Sequence, residues 1–257
     1  NIVTSEENVN IEFSKEDTGL ILKDVHKSYN TQINDILLTA LILAFNKWNG
    51  ENKLLLNLEG HGREDIADNS FSTDISRTVG WFTSVFPVLL KINSSKDTGE
   101  CIKSVKENLR NIPNNGIGFG LLKYMSDDTE IKKSLSDFPE VEVVFNYLGQ
   151  MNFQFLPTDW KIVEGLKLSQ DGENKRFHSI EINAVVTDDK LLLEFNFSNN
   201  IYQRKNIEKL ADHFKNSMNG IISHCTGEDK NSGFTPSDFS AAGLDQQELD
   251  DLLANLN

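Results

Sequence analysis

The run Glu59-Gly60-His61-Gly62-Arg63-Glu64 groups two carboxylates, an imidazole and a guanidinium within six residues. Glu59 ends a strand-like pattern in which Leu54, Leu56 and Leu58 alternate with Leu55 and Asn57. A carboxylate held beside apolar walls is poorly solvated when charged, so its pKa rises, which suits proton transfer near neutrality. Gly60 and Gly62 allow unusual backbone angles and close approach of another group. The competing account is structural: Glu59 pairs with Arg63 across a tight turn. Physical chemistry alone favours that ion pair slightly.

Two other pairs could do chemistry. Trp81-Phe82 could line a substrate channel if exposed, but burial in the core is the better expectation for two large aromatics. Asn146-Tyr147 ends a strand otherwise made of Val and Phe. Its polar groups either satisfy backbone or face a site, and the residues leave that choice even. The five histidines, His26, His61, His178, His213 and His224, have no zincin spacing and no paired CxxC beside them, so they are expected as surface or hydrogen-bonded side chains. Gly116-Ile117-Gly118-Phe119-Gly120 lacks the Lys-Ser/Thr of a phosphate loop and follows no predicted strand. The G-x-S-x-G elbow of serine hydrolases is absent.

These residues need elements to hold them. Apolar residues at Ile33, Ile36, Leu37, Ala40, Leu41, Ala44, Phe45 and Trp48 predict a helix over 31–49, with Thr31 as cap, Asp35 near the positive end of its dipole and Gly50 at its close. Leu38, Ile42 and Leu43 widen the stripe, predicting burial on most sides. Strands are expected at Lys53–Leu58, at Val85–Ile92 (an edge, given Pro87) and at Val141–Leu148. A helix through Ile102, Val105 and Leu109 should stop before Pro113, and Pro113–Gly120 should be a loop. Ile180–Val186 and Leu191–Phe197 alternate around Asp188-Asp189, as a hairpin does. A helix over 203–223 closes the body. Residues 226–243 are expected as a polar linker, followed by a short helix with Asp245 and Glu248 at its start and Leu249, Leu252, Leu253 and Leu256 along it. The chain thus divides into one α/β domain, residues 1–225, and a tail, 226–257.

Composition narrows the partners. Lys+Arg total 25 against Asp+Glu 39, a net charge of −14, which repels phosphate backbones and anionic lipid. Nucleic acid and membrane are therefore not expected as partners. Cys101 and Cys225 lie far apart in helical patterns and are expected as reduced, buried thiols, which points to the cytoplasm. The sequence opens at Asn1 rather than Met, pointing to a piece of a longer chain.

Five segments in order carry a resemblance: Asn34–Ala40, Glu59–Glu64, Arg77–Thr83, Pro113–Gly120 and Phe145-Asn146-Tyr147-Leu148-Gly149-Gln150. Together they make residues 10 to 225 resemble the epimerization domains of nonribosomal peptide synthetases, within the condensation-domain superfamily. The family's H-H-x-x-x-D-G motif, which supplies a catalytic histidine, is absent here. Phe119 stands where Tyr is usual, and Met151-Asn152 where Phe-Asp is common. The resemblance implies the C-terminal lobe of a chloramphenicol-acetyltransferase-like pair, with a mixed β-sheet flanked by helices and the active site between the lobes. It implies inversion from L to D at the Cα of an aminoacyl or peptidyl thioester carried on the phosphopantetheine of a carrier domain, with no other cofactor. Partners would be that carrier domain, the N-terminal lobe and neighbouring synthetase modules.

By the same resemblance Glu59 is one acid/base group and the absent histidine the other. Tyr147 and Asn146 would donate to the enolate or assist proton return. Arg63 would orient Glu59, His61 would shape the turn, and Trp81 would line the tunnel. A lobe so divided is expected to be inactive alone. The competing expectations are an amide-forming condensation lobe, or a non-catalytic lobe that docks a carrier.

Overall fold

Apolar alternation and helical periods become strands and helices in nearly the order the residues predict. The computed structural model describes residues 1–64, 74–75, 77–93, 97–151, 171–227 and 232–255. The strands are β1 (Glu6–Glu12), β2 (Lys53–Gly60), β3 (Ser84–Lys91), β4 (Val143–Met151), β5 (Ile180–Thr187) and β6 (Lys190–Ser198). The helices are α1 (Lys15–Lys23), α2 (His26–Tyr29), α3 (Ile33–Asn49), α4 (Thr98–Arg110), α5 (Gly118–Met125), α6 (Thr129–Ser136), α7 (Arg204–Thr226) and α8 (Gln246–Ala254). The sheet runs β1-β6-β5-β4-β2-β3. β4 pairs in parallel with both β2 and β5, and the other pairings are antiparallel. This is a mixed α/β lobe, as expected.

β3 lies at the edge, where the missing N–H of Pro87 is tolerated. Asp188 and Asp189 take φ of 49° and 65°, the left-handed pair of a tight hairpin turn between β5 and β6. One face of the sheet carries the core: Leu54, Leu56 and Leu58 of β2, Ile180, Ile182 and Ala184 of β5, and Phe195 of β6 are all buried. Against it pack α3, buried from Asp35 through Phe45, and α7 through Leu210 and Phe214. Phe214 meets the rings of Phe13 and Phe195 edge-on, with centroids 6.4 and 6.2 Å away.

Four local expectations are corrected. The cap of α3 is Gln32 rather than Thr31: the Gln32 N–H donates to Asp35 Oδ2 at 2.7 Å, while Thr31 bonds His26 Nδ1. Asp35 does more than answer the helix dipole. It is fully buried and accepts both arms of Arg110, at 3.1 and 2.7 Å, tying α3 to α4. The predicted loop 113–120 is a 3₁₀ turn, Pro113–Gly116, running into α5, because only its first half has the left-handed angles (Asn114, Asn115) that stop a helix. β4 continues past Gly149 to Met151 through a register shift between Tyr147 and Gln150, with Gly149 at φ 81°.

The polar segment after α7 does not hang free. Asp238 reaches Lys106 Nζ at 2.7 Å in a nearly water-free pair, Thr235 is fully buried, and Leu249 of α8 is buried too. Asn152 and Leu256 lie outside the described residues.

Candidate functional site

Strand alternation sorts the site residues. On β2, Leu54, Leu56 and Leu58 face the helices, so Asn57 and Glu59 point to the opposite face. β4 lies beside β2 with Asn57 opposite Val144 and Leu58 opposite Phe145, so Asn146 shares the face of Asn57 and Glu59. The Asn146 Nδ2 amide donates to Glu59 Oε2 at 2.7 Å, fixing the carboxylate across the strand pair. Tyr147 takes the other face. It stands opposite the fully buried Ala184 and packs on the core, so β4 separates it from Asn146 and Glu59. Burial raises its phenol pKa above the ordinary value. Of the two polar residues of this strand, one reaches Glu59 and the other does not.

The face opposite α3 and α7 floors a broad open cleft of about 1980 Å³. β2, β3 and the start of β5 form its floor, and α5 with Phe138 and Pro139 forms one wall. Glu59 lies on this floor. Partial burial pushes its carboxyl pKa above the ordinary range, and the charge of Glu181 on β5 adds to that push.

Arg63 is placed differently from either expectation for it. Its guanidinium donates to the carbonyls of Ile75 and Thr78 and stacks over the Phe82 ring, 4.2 Å from the centroid. It makes no ion pair with Glu59; its partners are Ile75, Thr78 and Phe82. His61 lies within the same turn. Its Nδ1 accepts from the Arg63 N–H at 3.0 Å, and its Nε2 lies 3.2 Å from Glu64, whose other oxygen accepts from Asn115. Gly62 has φ 65°, and a Cβ there would fall 1.6 Å from the Phe82 carbonyl oxygen, so this turn requires glycine. Trp81 is 91% exposed, which overturns the core expectation for it, while its neighbour Phe82 is half-buried under Arg63.

Three further residues on the floor were not singled out by the sequence. Asn57 Nδ2 lies 2.9 Å from His178 Nε2. Burial holds the His178 pKa below the ordinary imidazole value, with Glu181 pulling it up and Arg176 pushing it down. Glu181 approaches Arg176 at 3.3 Å. The available signal was alternation: Asn57 and Glu181 are the polar members of strands whose apolar members form the core, and such positions read equally well as plain solvent face. Among the described residues no group of three or more His, Cys, Asp or Glu could hold a metal ion, and no helix is long and apolar enough to cross a membrane.

Comparison with known proteins places this geometry. The Condensation domain family model matches residues 3–244. The chain is 39% identical over 242 residues to bacitracin synthase 3 of Bacillus licheniformis, covering 94% of this chain and 4% of that protein. It is 39% identical over 260 residues to tyrocidine synthase 1 of Brevibacillus parabrevis, covering 96% of this chain and 23% of that protein. Among solved structures, the epimerization domain from the third module of tyrocidine synthetase B aligns with TM-score 0.79 at 34% identity, covering 89% of this chain and 50% of that one. The first condensation domain of the CDA synthetase aligns with TM-score 0.55 at 11% identity, over 84% of this chain and 45% of that one, which shows likeness of fold alone. The chain therefore spans half or less of each of these proteins.

Proposed function

This chain belongs to the condensation-domain family of the nonribosomal peptide synthetases, and from that premise we propose that it is the C-terminal lobe of an epimerization domain. The observation that carries the proposal is the Glu59 carboxylate, fixed by Asn146 on the floor of an open cleft with its pKa raised. Likeness to a tyrocidine epimerization domain at 34% identity supports the same choice.

The chemistry asks little beyond proton transfer. The substrate is an aminoacyl or peptidyl thioester on the phosphopantetheine of a carrier domain, whose carbonyl acidifies the Cα–H. Glu59 takes that proton as the C–H electron pair moves into the carbonyl, giving an enolate. A second acid returns a proton to the opposite face, the electrons fall back to carbon, and the centre is inverted with no net change in charge or oxidation. The second acid is the histidine of the family's H-H-x-x-x-D-G motif, which this sequence lacks. Asn146 serves as the anchor that aims Glu59, since its amide is already spent on the carboxylate.

The test is Cα–deuterium uptake in D₂O by the intact domain containing this lobe, with an L-aminoacyl or L-peptidyl carrier and no acceptor. Uptake is expected, and Glu59→Gln should lower it at least about a hundredfold, the usual scale for losing a positioned base. Amide formation with an acceptor carrier, without uptake, would instead establish condensation, the reading that the family's name favours. Carrier binding with neither activity would make this a docking lobe.

A further inference from the structure

Arg176 lies on the segment before β5 and lines the cleft that holds Glu59. Its side chain is 2% exposed, and Nε, Nη1 and Nη2 have no hydrogen-bond acceptor. Glu6 and Glu181 approach at 3.6 and 3.3 Å, close enough to balance the charge but without hydrogen-bond geometry. Buried donors left unmatched in this way cost stability, and a guanidinium presents five of them in a fixed fork. The segment is held in place by Asn1: the Arg176 N–H donates to the Asn1 carbonyl, and the Asn1 side-chain Nδ2 donates to the carbonyls of Arg176 and His178. The guanidinium is thus a prepared donor set.

We propose that Arg176 receives a backbone carbonyl oxygen of the peptidyl chain, several residues upstream of the centre being inverted. This rests on the epimerization reading of the same cleft. Charge selects the ligand: Glu6 and Glu181 flank Arg176, and glutamates outnumber cationic side chains along the cleft, so a neutral amide oxygen is received where a phosphate or carboxylate is repelled. Geometry sets the length. Glu181 stands opposite Val144, and Val144 opposite Asn57, two residues before Glu59. Two strand spacings and two residues of rise separate Glu181 from Glu59 by about 12 Å. An extended peptide covers that distance in about three to four residues. Arg176 lies beside Glu181, at 3.3 Å, so a tetrapeptidyl group at Glu59 is long enough to approach it and an aminoacyl group is too short.

The binding test reads the Arg176 side chain directly, whatever the catalytic outcome. In the intact domain labelled with ¹⁵N-arginine, a tetrapeptidyl pantetheine thioether should shift the Arg176 Nε–H resonance, which an aminoacyl thioether and inorganic phosphate leave in place. An unmoved resonance with the peptidyl probe overturns the proposal, and so does a shift produced by phosphate. The second arm is the ratio of deuterium uptake from tetrapeptidyl over aminoacyl carriers. Arg176→Met should lower that ratio about tenfold, the scale of one charged hydrogen bond, with Arg176→Lys between it and the parent. An unchanged ratio in folded variants sinks the subsite. Should the parent domain exchange neither carrier, the epimerization reading fails, while the resonance arm still decides the peptide site.

Discussion

At the scale of single residues, the site turns on what surrounds one carboxylate. Burial and Glu181 raise the Glu59 pKa, and the Asn146 amide, by donating to the charged form, opposes that rise. Proton abstraction needs Glu59 ionised, so exchange should climb with pH through a value above the ordinary carboxylate range. Glu181→Gln removes a negative neighbour and should move that limb to lower pH. Asn146→Leu removes the donor and should move it to higher pH, while lowering the plateau about tenfold through lost aim. Rate profiles of the intact domain measured from pH 4 to 8 check both signs, and shifts in the same direction would separate Glu59 from the rate. The ordered motifs made Glu59 and Asn146 legible, but their contact was not. Nothing along the chain says that Arg63 turns away to Ile75 and Thr78, because that choice depends on where those two carbonyls lie in space. Tyr147 and Asn146, adjacent on a strand, must face opposite ways, and only the register of β4 shows which of them shares the face of Glu59.

At the scale of elements, the periodic segments were the legible ones. The apolar positions of α3 and the alternation of the β5–β6 hairpin each left one workable arrangement. The turns were less so. The 113–120 run looked like loop because glycine and proline dominate it, yet α5 begins inside it at Gly118. The turn at Gly62 is the clearest case of an element held by one backbone position. Gly62→Ala puts a methyl where the Phe82 carbonyl sits and asks for a left-handed φ as well. It should free the 78–82 segment, exposing its amides to hydrogen exchange and lowering deuterium uptake at Cα, with the melting temperature of the sheet little changed. Asp238 governs the tail. Burial alone would raise its pKa, but hydrogen bonds from Lys106, the Thr235 N–H and Asn30 together hold it below the ordinary value. A carboxyl depressed in the folded state adds stability above its unfolded pKa, and that stability is lost as pH falls through the folded value. Amides of 235–249 should therefore lose exchange protection in acid before the sheet does. Asp238→Ala, leaving Lys106 buried without a counter-ion, should cost about 3 kcal/mol by denaturant unfolding, and adding Lys106→Met should recover most of it.

At the scale of the whole molecule, the decisive feature is a sheet with α3 and α7 on one face and, on the other, an open cleft that α5 walls on one side. On the proposed reading, inversion needs acid/base groups on both sides of the reacting carbon, and Glu59 would serve one side only. The histidine motif that would answer it is missing from the 257 residues, and the related epimerization domain is about twice as long as the part this chain matches. The open face also keeps large apolar side chains in water, Phe177 at 96% and Tyr124 at 76% exposure among those lining the cleft. A surface of that kind is a contact surface. The chain by itself should therefore bind the carrier-linked substrate weakly and take up no measurable deuterium at Cα, whereas the intact domain of the proposed reading should take it up. A separately supplied N-terminal half should restore uptake in proportion to complex formed, and should quench the dye fluorescence that the exposed apolar side chains elicit. Appreciable uptake by the chain alone would mean that both proton-transfer groups lie on this lobe, and His178, its pKa lowered by burial on the cleft floor beside Asn57, would then be the first side chain to substitute.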